Sequence, residues 1–231
     1  MKNLAIILFL ITAPIITSAE SNGIEATNYS VSIATANSDA GNTFSVLGTI
    51  RSPLMNNIGI SVNAGLSEFN GKNNYIDSSG EFIGLDVFIR EYNLGLIELG
   101  YNYRKSDYDF SSGTLNNSSD TFSLLGIYYI HNFDLSLLRS TMESITGNKN
   151  NISDIGVSYY ITDNLRAGIS FGGMDLDNSN AISIQYQPKI FNNSIAISAS
   201  YRNSDSIDSY GLSLSYYFDT KVSLIDRARK Y

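Results

Sequence analysis

The sequence predicts an all-β protein: a transmembrane, antiparallel, up-and-down β-barrel of twelve strands. Three observations predict it. Residues 210–218 read Tyr-Gly-Leu-Ser-Leu-Ser-Tyr-Tyr-Phe, so Tyr210, Leu212, Leu214, Tyr216 and Phe218 share one face while Gly211, Ser213, Ser215 and Tyr217 share the other. Strict period-2 alternation marks a strand with two chemically different faces. The same pattern recurs along the chain behind an N-terminal leader, and a barrel in lipid turns apolar side chains out and polar ones in. Beyond that leader, no apolar run reaches the roughly 20 residues that a spanning helix needs.

The leader has a basic start at Lys2, an apolar run over residues 4–16 interrupted by Pro14, and a small-residue cleavage pattern at Thr17-Ser18-Ala19. This is the layout of a secretory signal peptide over residues 1–19. The barrel is expected over 20–218 and a periplasmic tail over 219–231. Charged residues make up 16% of the chain, against about 25% in soluble domains. The net charge of −7 and the absence of a basic patch argue against a nucleic-acid partner. With no cysteine there is neither a disulfide nor a lipidated cysteine.

The elements follow in order. Tyr29, Val31 and Ile33 form the apolar face of the first strand, and Phe44, Val46 and Ile50 that of the second. In the third, Ile58, Ile60, Val62, Ala64 and Leu66 oppose Gly59, Ser61, Asn63, Gly65 and Ser67. The fourth turns Ile83, Leu85, Val87 and Ile89 outward, with Asp86 and Arg90 inward. The fifth sets Ile97, Leu99, Tyr101 and Tyr103 against Glu98, Asn102 and Arg104. The sixth shows Phe122, Leu124, Tyr128 and Ile130. The seventh, within 134–142, carries Leu on both faces and is oriented only by placing Arg139 inward. Merging it with its neighbours would give ten or eight strands. The eighth to eleventh are marked by Ile155 to Ile161, Leu165 to Phe171, Ile182 to Tyr186 and Ile195 to Tyr201, and residues 210–218 make the twelfth.

Connections after even strands are expected to be short, as at 91–93 and 162–164. Those after odd strands, such as 68–80 and 105–120, are expected to be longer external loops dense in Asn, Ser and Gly. Outward tyrosines near strand ends suit the two interfaces of a membrane.

The terminal strand, ending on Phe218, resembles the C-terminal signal of Gram-negative outer-membrane β-barrels, and the turn Tyr160-Ile161-Thr162-Asp163-Asn164-Leu165 resembles turns of porin-like barrels. The resemblance implies residence in the bacterial outer membrane among lipid and lipopolysaccharide, assembly by the barrel-assembly machinery, and passage of small polar solutes without a cofactor. The chain departs from the usual signal because thirteen residues follow Phe218. That tail reads either as solvated chain or as a contact to peptidoglycan or the assembly machinery.

The candidate pore-lining residues are Arg51, Asp86, Arg90, Glu98, Arg104, Arg139, Asp154, Arg166 and Arg202. A turn at Tyr92 would set Asp86 across from Glu98, where an arginine must separate them. Such charges act either as a selectivity eyelet or as an ion-pair brace across a narrow lumen. The inward apolar residues Phe82, Phe88, Leu94, Leu96, Leu125, Ile127 and Tyr129 either fill space or line an apolar track. If the barrel is closed, its role is structural or passes to the external loops. An enzyme is disfavoured: the one histidine, His131, falls at a turn, and with no cysteine a zinc site lacks ligands. Asp175 to Asn178 resembles a calcium loop faintly but lacks its later Gly and Glu.

Overall fold

The computed structural model describes residues 26–72, 75–110, 113–174, 177–205, 207–218 and 221–231. The leader, and Asp175 and Leu176 of the acidic segment, lie outside the described residues.

Twelve strands close into one antiparallel barrel. They are β1 (Asn28–Ser38), β2 (Gly41–Pro53), β3 (Ile58–Gly71), β4 (Asp77–Glu91), β5 (Gly95–Phe110) and β6 (Gly113–Ile130), followed by β7 (Phe133–Ser144), β8 (Lys149–Thr162), β9 (Leu165–Met174), β10 (Asp177–Tyr186), β11 (Ile195–Ser204) and β12 (Ser209–Tyr217). Each pairs with the next, and β12 returns to β1 with Val31 opposite Tyr216 and Ile33 opposite Leu214. Closure leaves no strand edge, which a sheet in lipid requires.

The alternation read from the sequence sets the faces. Ile83, Leu85, Val87 and Ile89 of β4 and Leu212, Leu214 and Tyr216 of β12 are exposed on the outer wall. Outward aromatics cluster towards both barrel ends. Tyr101 stacks on Phe122 at 5.1 Å and Tyr201 on Tyr210 at 4.9 Å near one end; Phe133 meets Tyr159 at 4.7 Å near the other. These are the two girdles expected of a membrane barrel.

Three expectations are corrected. The connections at 68–80 and 105–120 are mostly strand. β3 and β4 pair up to Phe69 opposite Ser78, and β5 and β6 up to Phe110 opposite Gly113. These hairpins are polar on both faces because they rise beyond the apolar belt, so the alternation that marks a strand fades there. The β4–β5 register also differs. Glu91 opposes Gly95, so Phe88, not Asp86, faces Glu98, and Asp86 faces Gly100. Gly100 makes this possible: a Cβ there would press on the carboxylate of Asp86 and the hydroxyl of Ser123. Finally, the tail is folded. Residues 224–230 form a helix, α1 (Leu224–Lys230), with Ser223 capping it by accepting from the Asp226 amide at 3.2 Å.

The tight β4–β5 turn depends on Gly95, whose φ of 156° and closeness to the Ile127 carbonyl leave no room for a side chain. Gly95→Val is expected to shift this hairpin and cost about 2–4 kcal/mol. The check is the denaturant midpoint of the refolded barrel, read by loss of heat-modifiable gel mobility.

Candidate functional site: the lumen and its short-turn mouth

A barrel of eight strands is filled by its own side chains, while sixteen or more leave an aqueous channel. At twelve, the inner residues decide. The wall made by β11, β12, β1 and β2 is small. Ala34, Ala36, Thr43, Ser45, Ser198, Ser200, Gly211 and Ser213 border a cavity of about 300 Å³. The opposite wall is bulky, with Phe88, Leu96 and Tyr129 buried together and Leu125 and Ile127 packed against them. Leu94 stands apart from them, exposed in the turn. The inward apolar residues of this wall fill space, and the free volume is displaced towards β11–β2.

The charged residues sit in two tiers. The lower tier is near the end that bears the turns at 54–57, 92–94, 131–132 and 163–164. There Arg51 of β2 donates to Glu98 of β5 at 2.8 Å, across β3 and β4. Phe88 lies between two cations, with the Arg51 guanidinium 4.7 Å and that of Arg90 5.2 Å from its ring centroid. Arg90 is 1% exposed. Asp86 is held by the Asn63 amide at 2.5 Å, and Asn63 also accepts from Thr49 at 2.9 Å. The carboxylates are held by different partners: Arg51, and not Arg90 or Arg104, bonds Glu98, and Asn63 bonds Asp86. Arg166 bonds Ser158 at 2.9 Å and lies over the ring of Tyr160.

The upper tier lies towards the end that bears the long hairpins. Arg202 reaches Ser179 at 2.7 Å and Asp154 at 3.7 Å, and Arg104 reaches Ser67 at 2.7 Å. Eight of the nine candidates therefore project inward.

Arg139 does not. It lies opposite Leu124 and Ser153 in the register, on the face of the exposed Leu135 and Leu137, and bonds Ser153 on the outer wall. The expectation failed because β7 carries leucine on both faces; Asp134, Ser136, Leu138 and Ser140 are the inward set. Among lipids, a long Arg side chain can turn its head towards the interface. Arg139→Leu is expected to leave the charge of the lumen, and so any ion selectivity, unchanged, whereas Arg202→Leu removes an inward cation and should shift selectivity towards cations. Reversal potentials under a salt gradient separate the two.

Two features went unnoticed in the sequence. Asp134 is a buried inward carboxylate at the start of β7. Its partner is Arg229 of α1 at 3.0 Å, with both side chains largely buried. The helix thus lies against the short-turn mouth. Its backbone and that of Leu224 are fixed by the β8–β9 turn: the Ile225 amide donates to the Asp163 carbonyl at 3.1 Å, and the Leu224 amide to Asn164 Oδ1 at 3.1 Å. Arg227 stacks on Tyr217 of β12 at 3.6 Å and donates to the Asn193 carbonyl at 3.2 Å. Burial pushes its guanidinium down to about 10, still charged at neutral pH. Arg229 also donates to the carbonyls of His131 and Phe133. The Lys230 ammonium lies 4.9 Å from the ring of Tyr92 in the β4–β5 turn. Gln187 ties the preceding segment in by donating to the Val222 carbonyl at 3.0 Å. The single histidine serves here through its backbone, and no group of three His, Cys, Asp or Glu side chains is placed to hold a metal among the described residues.

No protein-family model matches the chain, and no curated protein matches it. Solved structures do. The KdgM porin in complex with disordered oligogalacturonate superposes with a TM-score of 0.63 at 14% identity, over 82% of this chain and 99% of that one. An outer-membrane channel from Pseudomonas putida F1 gives 0.62 at 9% identity, over 90% and 100%. The β domain of the Bordetella autotransporter BrkA gives 0.62 at 8% identity, over 85% and 100%. The fold is that of a porin-like outer-membrane β-barrel.

Proposed function

We propose that the protein is an outer-membrane channel for passive diffusion of small polar solutes, with a preference for anions. The observation that carries this is the asymmetric lumen: a small-residue wall borders free volume, and charged side chains project inward from β2 and β11 at its edges and from the strands beyond. Arg51, Arg90, Arg104, Arg166 and Arg202 face inward with Asp86, Glu98, Asp134 and Asp154, and α1 adds Arg227 and Arg229. Among the described residues the inner wall is thus richer in cations than in carboxylates, the reverse of the chain as a whole at −7. Charge rings of one sign select for the other. The oligogalacturonate named with the KdgM porin is also anionic. The short-turn end would face the periplasm, and the long β3–β6 hairpins the outside.

The test is single-channel recording of the refolded protein in a planar bilayer. Discrete steps with a reversal potential displaced to the anion side support the reading. A folded barrel without steps supports instead a closed barrel with a structural role.

A further inference from the structure

We infer that the C-terminal helix α1 is the constriction of this channel: docked across the short-turn mouth, it sets the size of what passes, and its release widens the pore. This rests on the channel reading and adds to it the element that controls passage.

The argument is where the helix is held. Its contacts reach round the rim, to the β4–β5 turn at Tyr92, the β6–β7 turn at His131, the β8–β9 turn at Asp163 and Asn164, the β10–β11 connection at Asn193, and Tyr217 of β12. A segment touching five separate places on one rim crosses the opening between them. The contacts are also those of a built seat. Leu224, Arg227, Arg229 and Tyr231 are all less than 9% exposed. Arg229 meets a carboxylate at the start of β7 that is buried with the helix in place, Asp134 at 4% exposure. A buried carboxylate needs a partner, and here it comes from the tail. The tail is nonetheless detachable: a helix of seven residues has little stability of its own, and the twelve-strand ladder closes without it.

The experiment uses a cysteine pair, Asp163→Cys with Ile225→Cys, in the full chain, which has no cysteine of its own. These positions are joined backbone to backbone by the Ile225 amide and Asp163 carbonyl at 3.1 Å. A chain ending at Phe218 is recorded beside it, with folding of each variant checked by heat-modifiable gel mobility. We expect the shortened chain to conduct at least about threefold more per channel than the full chain. Excursions of the reduced cysteine pair to that larger level should disappear on oxidation and return on reduction. Should the shortened chain not fold, the reduced-against-oxidised comparison decides alone. Equal conductance in all forms overturns the constriction and leaves the channel reading standing. No steps in any folded form overturns both.

Discussion

Replacing Glu98 by lysine is expected to make the lower tier of the lumen predominantly cationic and raise the anion-to-cation permeability ratio about three- to tenfold. The reason is local. Glu98 is the carboxylate that holds Arg51, at 2.8 Å across the width of β3 and β4. Arg90 sits against the same Phe88 ring as Arg51. With lysine at 98, three cations face one another and the nearest acid is Asp86, which Asn63 already occupies. Arg51 would then swing away from Phe88, so single-channel conductance should change together with selectivity. The twelve-strand hydrogen-bond ladder does not involve this side chain, so the barrel should still close. The stability cost is about 1–3 kcal/mol, below that of a fully buried pair because both side chains keep some exposure. Reversal potentials in a tenfold salt gradient, with thermal melting of the same samples, check both parts. An unchanged permeability ratio in a folded variant would place Glu98 off the conduction path.

The second large effect is expected from Arg229→Glu. In the native chain Arg229 donates to the carbonyls of His131 at 2.6 Å and Phe133 at 3.4 Å and to Asp134 at 3.0 Å, in a nearly dry seat. A glutamate would set its carboxylate against two carbonyls and a second carboxylate, with no donor left among them. Such an uncompensated buried charge costs about 3–5 kcal/mol, more than a helix of this length can offset from its remaining contacts. The tail should therefore leave the mouth. Trypsin provides a readout independent of conductance, because Lys221 and Arg227 both lie in the tail. Those bonds are expected to resist cleavage in the native protein and to be cut at least about tenfold faster in the variant. Arg229→Lys keeps the charge but loses the forked geometry, and should fall between the two. Equal cleavage of native and variant protein would show that the pair does not hold the tail.

Much of this was legible in the sequence, because a membrane barrel writes its faces into alternate residues. Leu212, Leu214 and Tyr216 could face only lipid, and Gly211, Ser213 and Ser215 only the lumen, since lipid excludes one set and accepts the other. That determined the fold class and the direction of Arg51, Asp86, Arg90, Glu98, Arg104, Asp154, Arg166 and Arg202, and favoured the twelve strands that the closed ladder shows. The rule gave no answer where both faces have the same chemistry. β7 carries Leu135, Leu137 and Leu138, so Arg139 was placed inward although it lies outside. The upper parts of β5 and β6 are polar on both faces, so paired strand was read as loop.

Register and docking were decided only by the tertiary structure. A turn centred one residue later, at 92–94 instead of 91–93, moved Glu98 from Asp86 to Phe88, a difference that composition does not carry because either pairing preserves the faces. The tail's seat was hidden for a related reason. Alternation along a strand reports on the sheet's two faces and says nothing about a segment that meets the rim end-on. Leu224, Arg227 and Arg229 look like a basic, solvated terminus until Tyr217, Asn164 and Asp134, which lie far apart in sequence, are brought to one mouth by the closing of the barrel.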